Sequence, residues 1–134
     1  MGFTEVFMNA DTIEELPDFP GLSWCVESGG IVFTSGIAAI DDGFNIISSD
    51  PHEQADYCLK AALKLLAKFG CGVGDIVKTT CFAIDRDAGQ AFAQKKMEMF
   101  KEHRPAGTIV MVKDLMVPGM LIEVEVVAVK ERKA

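Results

Sequence analysis

The sequence predicts an α+β domain, a mixed β-sheet carrying two helices on one face. Three observations lead there. Two stretches, beginning at Asp50 and at Asp87, place apolar residues at helical spacing behind capping residues. Short runs of β-branched and apolar residues flank them, bounded by glycine, proline and aspartate. The last run, Met120 to Lys130, alternates so that Met120, Ile122, Val124, Val126 and Ala128 form one wholly apolar face, as a strand beneath a helical layer must.

In chain order, Phe3 to Met8 reads as a short first strand. Thr12 to Gly21 is a polar connection punctuated by Pro17 and Pro20. Ser23 to Glu27 and Ile31 to Ser35 are strands joined through Ser28-Gly29-Gly30, since glycine accepts the positive φ of a tight hairpin turn. Asp41-Asp42-Gly43 is a further turn. For the first helix Asp50 is the N-cap, Pro51 occupies N1, Glu53 stands at N3 for a capping box, and Gly70 is the C′ residue. Ala55, Cys58, Leu59, Ala62, Leu66 and Phe69 share its inner face, while Asp56 and Lys60 can pair outside.

Asp75 to Ile84 follows as a strand. The second helix is expected to be capped by Asp87, with Gln90 at N3, to bury Phe92, Met99 and Phe100, and to run to about His103. Gly107 to Val112 and Met120 to Lys130 are the last two strands, with Pro118-Gly119 turning between them.

Composition narrows the function. The 134 residues suit one domain, 1–134, and at 49% hydrophobic and 25% charged they can fill a core without staples. A formal charge of −7 argues against a nucleic-acid surface, which needs a basic patch. Lys130, Arg132 and Lys133 read as a solvated tail. Cys25, Cys58, Cys71 and Cys81 form no C-x-x-C pair and only His52 and His103 accompany them, so neither a zinc site nor a disulfide framework is expected. Free thiols suit a reducing, cytoplasmic location. The first residues lack the basic and apolar regions of a signal peptide, and no apolar run is long enough to span a bilayer.

The outer face of the last strand carries Leu121, Glu123, Glu125, Val127 and Val129. Two readings stand: solvated carboxylates on an open sheet, or a face covered by another subunit with the carboxylates at a wet seam. Gly70-Cys71-Gly72-Val73-Gly74 follows a helix and precedes a strand, the reverse of a phosphate loop, and reads as a cap and turn. Ser35 ends a strand and can offer a hydroxyl to a ligand or to its own backbone. Cys58 is core filler; Cys71 and Cys81 are left open.

Four segments together resemble the Rid/YjgF family, the reactive-intermediate deaminase-like proteins also labelled endoribonuclease L-PSP or translation inhibitor. They are Gly30-Ile31-Val32-Phe33-Thr34-Ser35-Gly36, Gly74-Asp75-Ile76-Val77-Lys78-Thr79-Thr80, Arg104-Pro105-Ala106 and Ile122-Glu123-Val124-Glu125-Val126-Val127-Ala128-Val129. The resemblance covers the chain from about Gly21 onward. It implies a chorismate-mutase-like fold and a homotrimer, with sheets lining a central barrel, helices outside and clefts between neighbouring subunits. It also implies hydrolysis of enamine or imine intermediates without a cofactor.

In active members of that family a glutamate positions water, an arginine clamps the substrate carboxylate, and a serine, an upstream tyrosine and an asparagine shape the pocket. Glu123 matches the glutamate, Ser35 the serine and Gly36 the glycine after it. Gly107 stands at the arginine position, Leu22 at the tyrosine position and Ala93 at the asparagine position. The resemblance is thus to a divergent, arginine-lacking branch. Arg104 is either a surface residue or a cation reaching the cleft by another route. The expected functions are deamination of a small imine-like electrophile or, alternatively, metabolite binding or protein interaction by a trimer without turnover; ribonuclease action is least favoured.

Overall fold

The computed structural model describes residues 13–130 and the backbone of residues 6 and 7. The mixed sheet orders its strands, counted along the chain, as first, second, third, seventh, fifth and sixth, with the fourth also paired to the seventh. The strands are β1 (Val6–Phe7), β2 (Cys25–Ser28), β3 (Ile31–Thr34), β4 (Ile37–Ala38), β5 (Ile76–Ala83), β6 (Ala106–Met111) and β7 (Ile122–Val129). Helices α1 (Pro51–Ala67) and α2 (Arg86–Phe100) pack beside each other on one face. Among the described strands only β5 and β6 run parallel, joined through α2. Of the expected first strand, Phe3 to Met8, Val6 and Phe7 are observed; residues 3–5 and 8 lie outside the described residues.

The hairpin turn forms as its glycines require, with φ +60° at Gly29 and +85° at Gly30. Strand β7 separates its faces as its alternation demands: Met120, Ile122, Val124, Val126 and Ala128 are all buried, whereas Glu125 is exposed and Glu123, Val127 and Val129 are part-exposed. Thr34 seals the β3–β7 seam, its Oγ1 accepting from the Val126 N–H at 3.0 Å.

Helix α1 starts where expected, the Asp50 carboxylate accepting from the His52 N–H at 3.1 Å. It ends earlier than expected. The C-cap is Lys68, and the chain tightens through Gly70 N–H to Ala67 O and Cys71 N–H to Leu66 O, both at 3.0 Å, before Gly70 takes φ +80°. All six residues assigned to its inner face are buried, and Asp56 pairs with Lys60 at 3.0 Å.

The start of α2 differs. Asp85, not Asp87, is the N-cap, its carboxylate accepting from the Ala88 N–H at 2.8 Å. Both aspartates can cap; Asp85 wins because β5 already ends at Ala83, which lets the helix begin two residues sooner. The helix stops at Phe100, not near His103, where Lys101 adopts φ +54°. Phe92 and Phe100 are buried and Met99 packs against the core.

The polar connection before β2 is more firmly seated than its composition suggests. Leu16 is fully buried, which removes ~1.5–3 kcal/mol of apolar surface from water. Tyr57 donates to the Glu15 carbonyl at 2.6 Å, Trp24 Nε1 donates to the Pro17 carbonyl at 2.9 Å, and Lys64 pairs with Glu15. The Gly70–Gly74 stretch is a cap and turn, leading into a single turn of 3-10 helix at Val73–Asp75. Lys130 is not simply solvated, since it pairs with Glu27 at 3.1 Å; Arg132 and Lys133 lie outside the described residues.

Candidate functional site

The first turn of β7 is held from below by one side chain. Gln54, fully buried on α1, donates from Nε2 to the carbonyls of Ser48 (2.8 Å) and Gly119 (2.9 Å), and its Oε1 accepts from the Leu121 N–H (2.9 Å). These three bonds anchor the turn at Gly119, where φ is +98°, and fix the strand two residues before Glu123.

Glu123 pairs with Ala38 in the short β4–β7 register, and its carboxylate lies against Gly36, just before β4. A β-carbon on Gly36 would lie 2.1 Å from Glu123 Oε2, so a side chain there would occupy the carboxylate's own position. Glycine is required here by close approach rather than by backbone conformation. The carboxylate is half-buried and has no hydrogen-bond partner among the described residues. Its pKa is raised, first by burial and then by the charge of Glu125.

In front of this carboxylate lies a cleft of about 200 Å³. Its lining is otherwise almost entirely apolar: Phe19, Leu22, Trp24, Gly36, Ala38, Ile40, Phe44, Met116, Val117 and Met120. Phe19 sits edge-on to Trp24 and to Phe44, with centroids 6.4 and 5.8 Å apart. Phe44 belongs to the Asp41 turn, whose carboxylate accepts from the Gly43 and Asn45 N–H groups at 2.8 and 2.9 Å. Those bonds hold the Asp41 carboxyl below its ordinary pKa and fix a turn in which Phe44 has φ +65°, an uncommon conformation for a bulky residue.

The residues singled out from sequence fall in two places. Glu123, Gly36 and Leu22 meet in the cleft. Ser35 adjoins it, but its hydroxyl donates to the Ser23 carbonyl at 2.6 Å, so that proton is committed to the backbone. Gly107 lies on edge strand β6, separated from β7 by β5. Ala93, on α2, flanks a hollow with Arg86, Gly89 and Ile109, and Arg104 lines another of about 420 Å³ with Lys96, Lys101 and His103. Within one chain, none of Ala93, Gly107 and Arg104 reaches the cleft before Glu123.

Sequence reasoning did not single out Phe19, Trp24, Phe44, Met116 or Gln54. Aromatic residues in loops carry no periodic signal, and a glutamine on a helix reads as solvent-facing unless its partners are known. The four cysteines are free and buried. Burial pushes Cys25 and Cys81 up to about 12, Lys96 opposing the shift at Cys81, and Cys58 and Cys71 are also raised. None is activated as a nucleophile.

Two helices on one face of a mixed sheet define a recognisable class of α+β domain, and comparison with known proteins says which. The chain belongs to the Endoribonuclease L-PSP family, the Rid/YjgF proteins, whose sequence pattern matches residues 15–130. It is 32% identical over 108 residues to the 2-iminobutanoate/2-iminopropanoate deaminase of Salmonella typhimurium, a match covering 78% of this chain and 84% of that one. The mitochondrial protein mmf2 of Schizosaccharomyces pombe is 33% identical over 85 residues, 63% of this chain and 67% of its own. Among solved structures, a Thermotoga maritima protein named a candidate endoribonuclease superposes with TM-score 0.84 at 28% identity, covering 96% of this chain and all of that one. YyfA of Yersinia pestis, a member of the conserved Rid family, superposes with TM-score 0.79 at 28% identity over 87% and 94% of the two chains.

Proposed function

We propose that this protein hydrolyses a small imine or enamine to a carbonyl compound and ammonia, without a cofactor, in clefts between the subunits of a homotrimer. The observation that carries the reading is the Glu123 carboxylate. It is seated against Gly36, has no hydrogen-bond partner among the described residues and faces an apolar cleft. Ionised, it accepts a proton from a water molecule as that water's oxygen adds to the imine carbon. Returning that proton to nitrogen gives the carbinolamine; a second transfer through the carboxylate, from the new hydroxyl to nitrogen, forms the C=O bond as the C–N bond breaks, so that imine plus water gives ketone plus ammonia. The apolar lining favours an uncharged reacting centre and excludes competing water. The deaminase relative from Salmonella typhimurium supports the same chemistry.

The trimer completes the site. Gly107 lies on the β6 edge, whose residues are all exposed in the single chain, with Arg104 just before that strand and Ala93 on α2; in the proposed trimer a neighbouring subunit presents this side to the Glu123 cleft. Ser35 shapes the cleft through its bond to Ser23 rather than by donating to substrate. The reduced thiols fit a cytoplasmic location.

A second reading, a trimer that binds a metabolite or a partner protein without turnover, is favoured by one observation: at Gly107 there is no guanidinium to hold a substrate carboxylate. Ribonuclease action is the least supported, because a chain of net charge −7 offers phosphates little.

The deciding experiment generates 2-iminobutanoate in situ with an amino-acid oxidase and times its decay. Acceleration by the native protein that disappears in Glu123→Ala supports the deaminase. Equal rates with and without native protein remove that substrate and advance the binding reading.

A further inference from the structure

The lining of the cleft before Glu123 narrows the ligand that can bind there. Among the described residues that form it, Glu123 is the one charged side chain. The polar groups beside it are committed elsewhere. The Trp24 indole N–H donates to the Pro17 carbonyl at 2.9 Å, and the Ser35 hydroxyl to the Ser23 carbonyl at 2.6 Å. A ligand therefore meets a negatively charged acceptor, and its matching group is an N–H donor. Burial and the charge of Glu125 both disfavour the ionised carboxylate, and a cation beside it offsets both. A ligand carboxylate would instead bring a second negative charge to a lining that holds no cation.

The rest of the cleft is shaped for a flat apolar group. Phe19 stands edge-on to both Trp24 and Phe44, so the rings form one continuous wall. Ala38, Ile40 and Met120 make a small buried core of their own that floors the cleft. Phe19 and Phe44 still have 41 and 42% of their surface exposed, apolar area that a bound ring would cover. The cleft volume is about 200 Å³. A cavity of roughly 150 Å³ holds a benzene molecule, so a six-membered ring fits with a few further heavy atoms. Aromatic faces also attract cations, so wall and carboxylate favour the same ligand.

We propose that the cleft takes an imine that bears an aromatic ring and no carboxylate, its ring against Phe19 and Phe44 and its N–H donating to Glu123. When the imine nitrogen is protonated, it and the carboxylate are neutral as a pair, so the apolar lining tolerates either form. The atoms balance in both cases: imine plus water gives ketone plus ammonia, and the protonated imine gives ketone plus ammonium. The inference rests on the deaminase reading for the reacting group; the preference for a ring and against a carboxylate rests on the cleft alone.

The test is calorimetric titration of the native protein with benzylamine, a stable stand-in for the imine. Benzoate supplies the same ring with a carboxylate, and propylamine the ammonium without a ring. Saturable benzylamine binding is expected, at least about 10-fold tighter than either. It should weaken about 10–100-fold in Glu123→Gln and about 10-fold in Phe44→Ala. Phe44→Leu, which keeps bulk and loses the ring, serves if Phe44→Ala misfolds. Absence of benzylamine binding, equal binding of benzoate or propylamine, or binding unchanged in these variants overturns the inference. The imines themselves separate it from the deaminase reading. 1-Phenylethanimine, added from dry solvent, should be hydrolysed with kcat/KM at least about 10-fold above that of 2-iminobutanoate, and Phe44→Ala should raise KM more than it lowers kcat. Hydrolysis confined to 2-iminobutanoate removes the inference and keeps the deaminase. Phe44-dependent benzylamine binding without hydrolysis of either imine keeps the ligand class and removes the deaminase.

Discussion

Glu123 is held in a place that suits chemistry better than stability. Its pKa is higher in the fold than in the open chain, so the folded state binds its proton more tightly. The stability this confers is present below the ordinary carboxyl range and is lost as pH rises through the displaced pKa. At neutral pH the ionised group is a liability that Glu123→Gln removes. That variant should melt higher than native protein at pH 7, by calorimetry, while its imine hydrolysis falls about 10²–10⁴-fold. In native protein the acidic limb of the rate profile should lie above that of a solvent-exposed glutamate. Gly36→Ala tests the same contact from the other side. Its methyl would meet Oε2 at 2.1 Å, so the carboxylate must move, and activity should fall even where circular dichroism shows a folded chain.

At the scale of elements, the caps separate two similar aspartates. Asp85→Ala should cost about 1 kcal/mol in denaturant unfolding because it frees the Ala88 N–H, whereas Asp87→Ala should cost little. Gln54→Leu should do more harm than its place on a helix suggests. It strips partners from Ser48, Gly119 and Leu121, at about 1–3 kcal/mol for each group left buried and unpaired. It should also lower hydrolysis, because β7 loses the anchor beside Glu123. The sequence made the strands and helices legible wherever periodicity was strong: the even face of β7, the inner face of α1 and the glycine hairpin. Boundaries were less legible, as at Asp85, because two adjacent capping residues look alike until β5 is seen to end. The two-residue strand β4 is too short for any pattern. Glu123, Gly36 and Leu22 were legible as one site only through family resemblance, since residues 22, 36 and 123 are joined by pairing rather than by spacing. The aromatic cleft wall and Gln54 depend on loop packing that no local rule encodes.

Across the whole molecule, the outer face of the sheet remains unfinished in a single chain. Ile31 and Phe33 of β3, Val77 of β5 and Val110 of β6 are each about two-fifths exposed, at 39, 40, 45 and 39%. Ile31 and Phe33 pair with Val129 and Val127 of β7, and Val110 pairs with Phe82 of β5. A contiguous apolar face of this kind asks for a cover, and a trimer that closes it would also bring β6 of one subunit to the cleft of the next. Light scattering should therefore give a mass of three chains. Phe33→Glu, set opposite Val127, should lower that mass and abolish hydrolysis together. A native monomer that still hydrolyses imine would separate the reaction from assembly.

The sealed thiols give the molecule a practical property. Because all four cysteines are buried and their pKa values raised, thiol-directed dyes should find almost nothing to label in the native protein. Met116, 89% exposed at the lip of the cleft, is then a natural place for one introduced cysteine. A fluorophore attached there would report cleft occupancy against a dark background, in a molecule that already supplies its own silence.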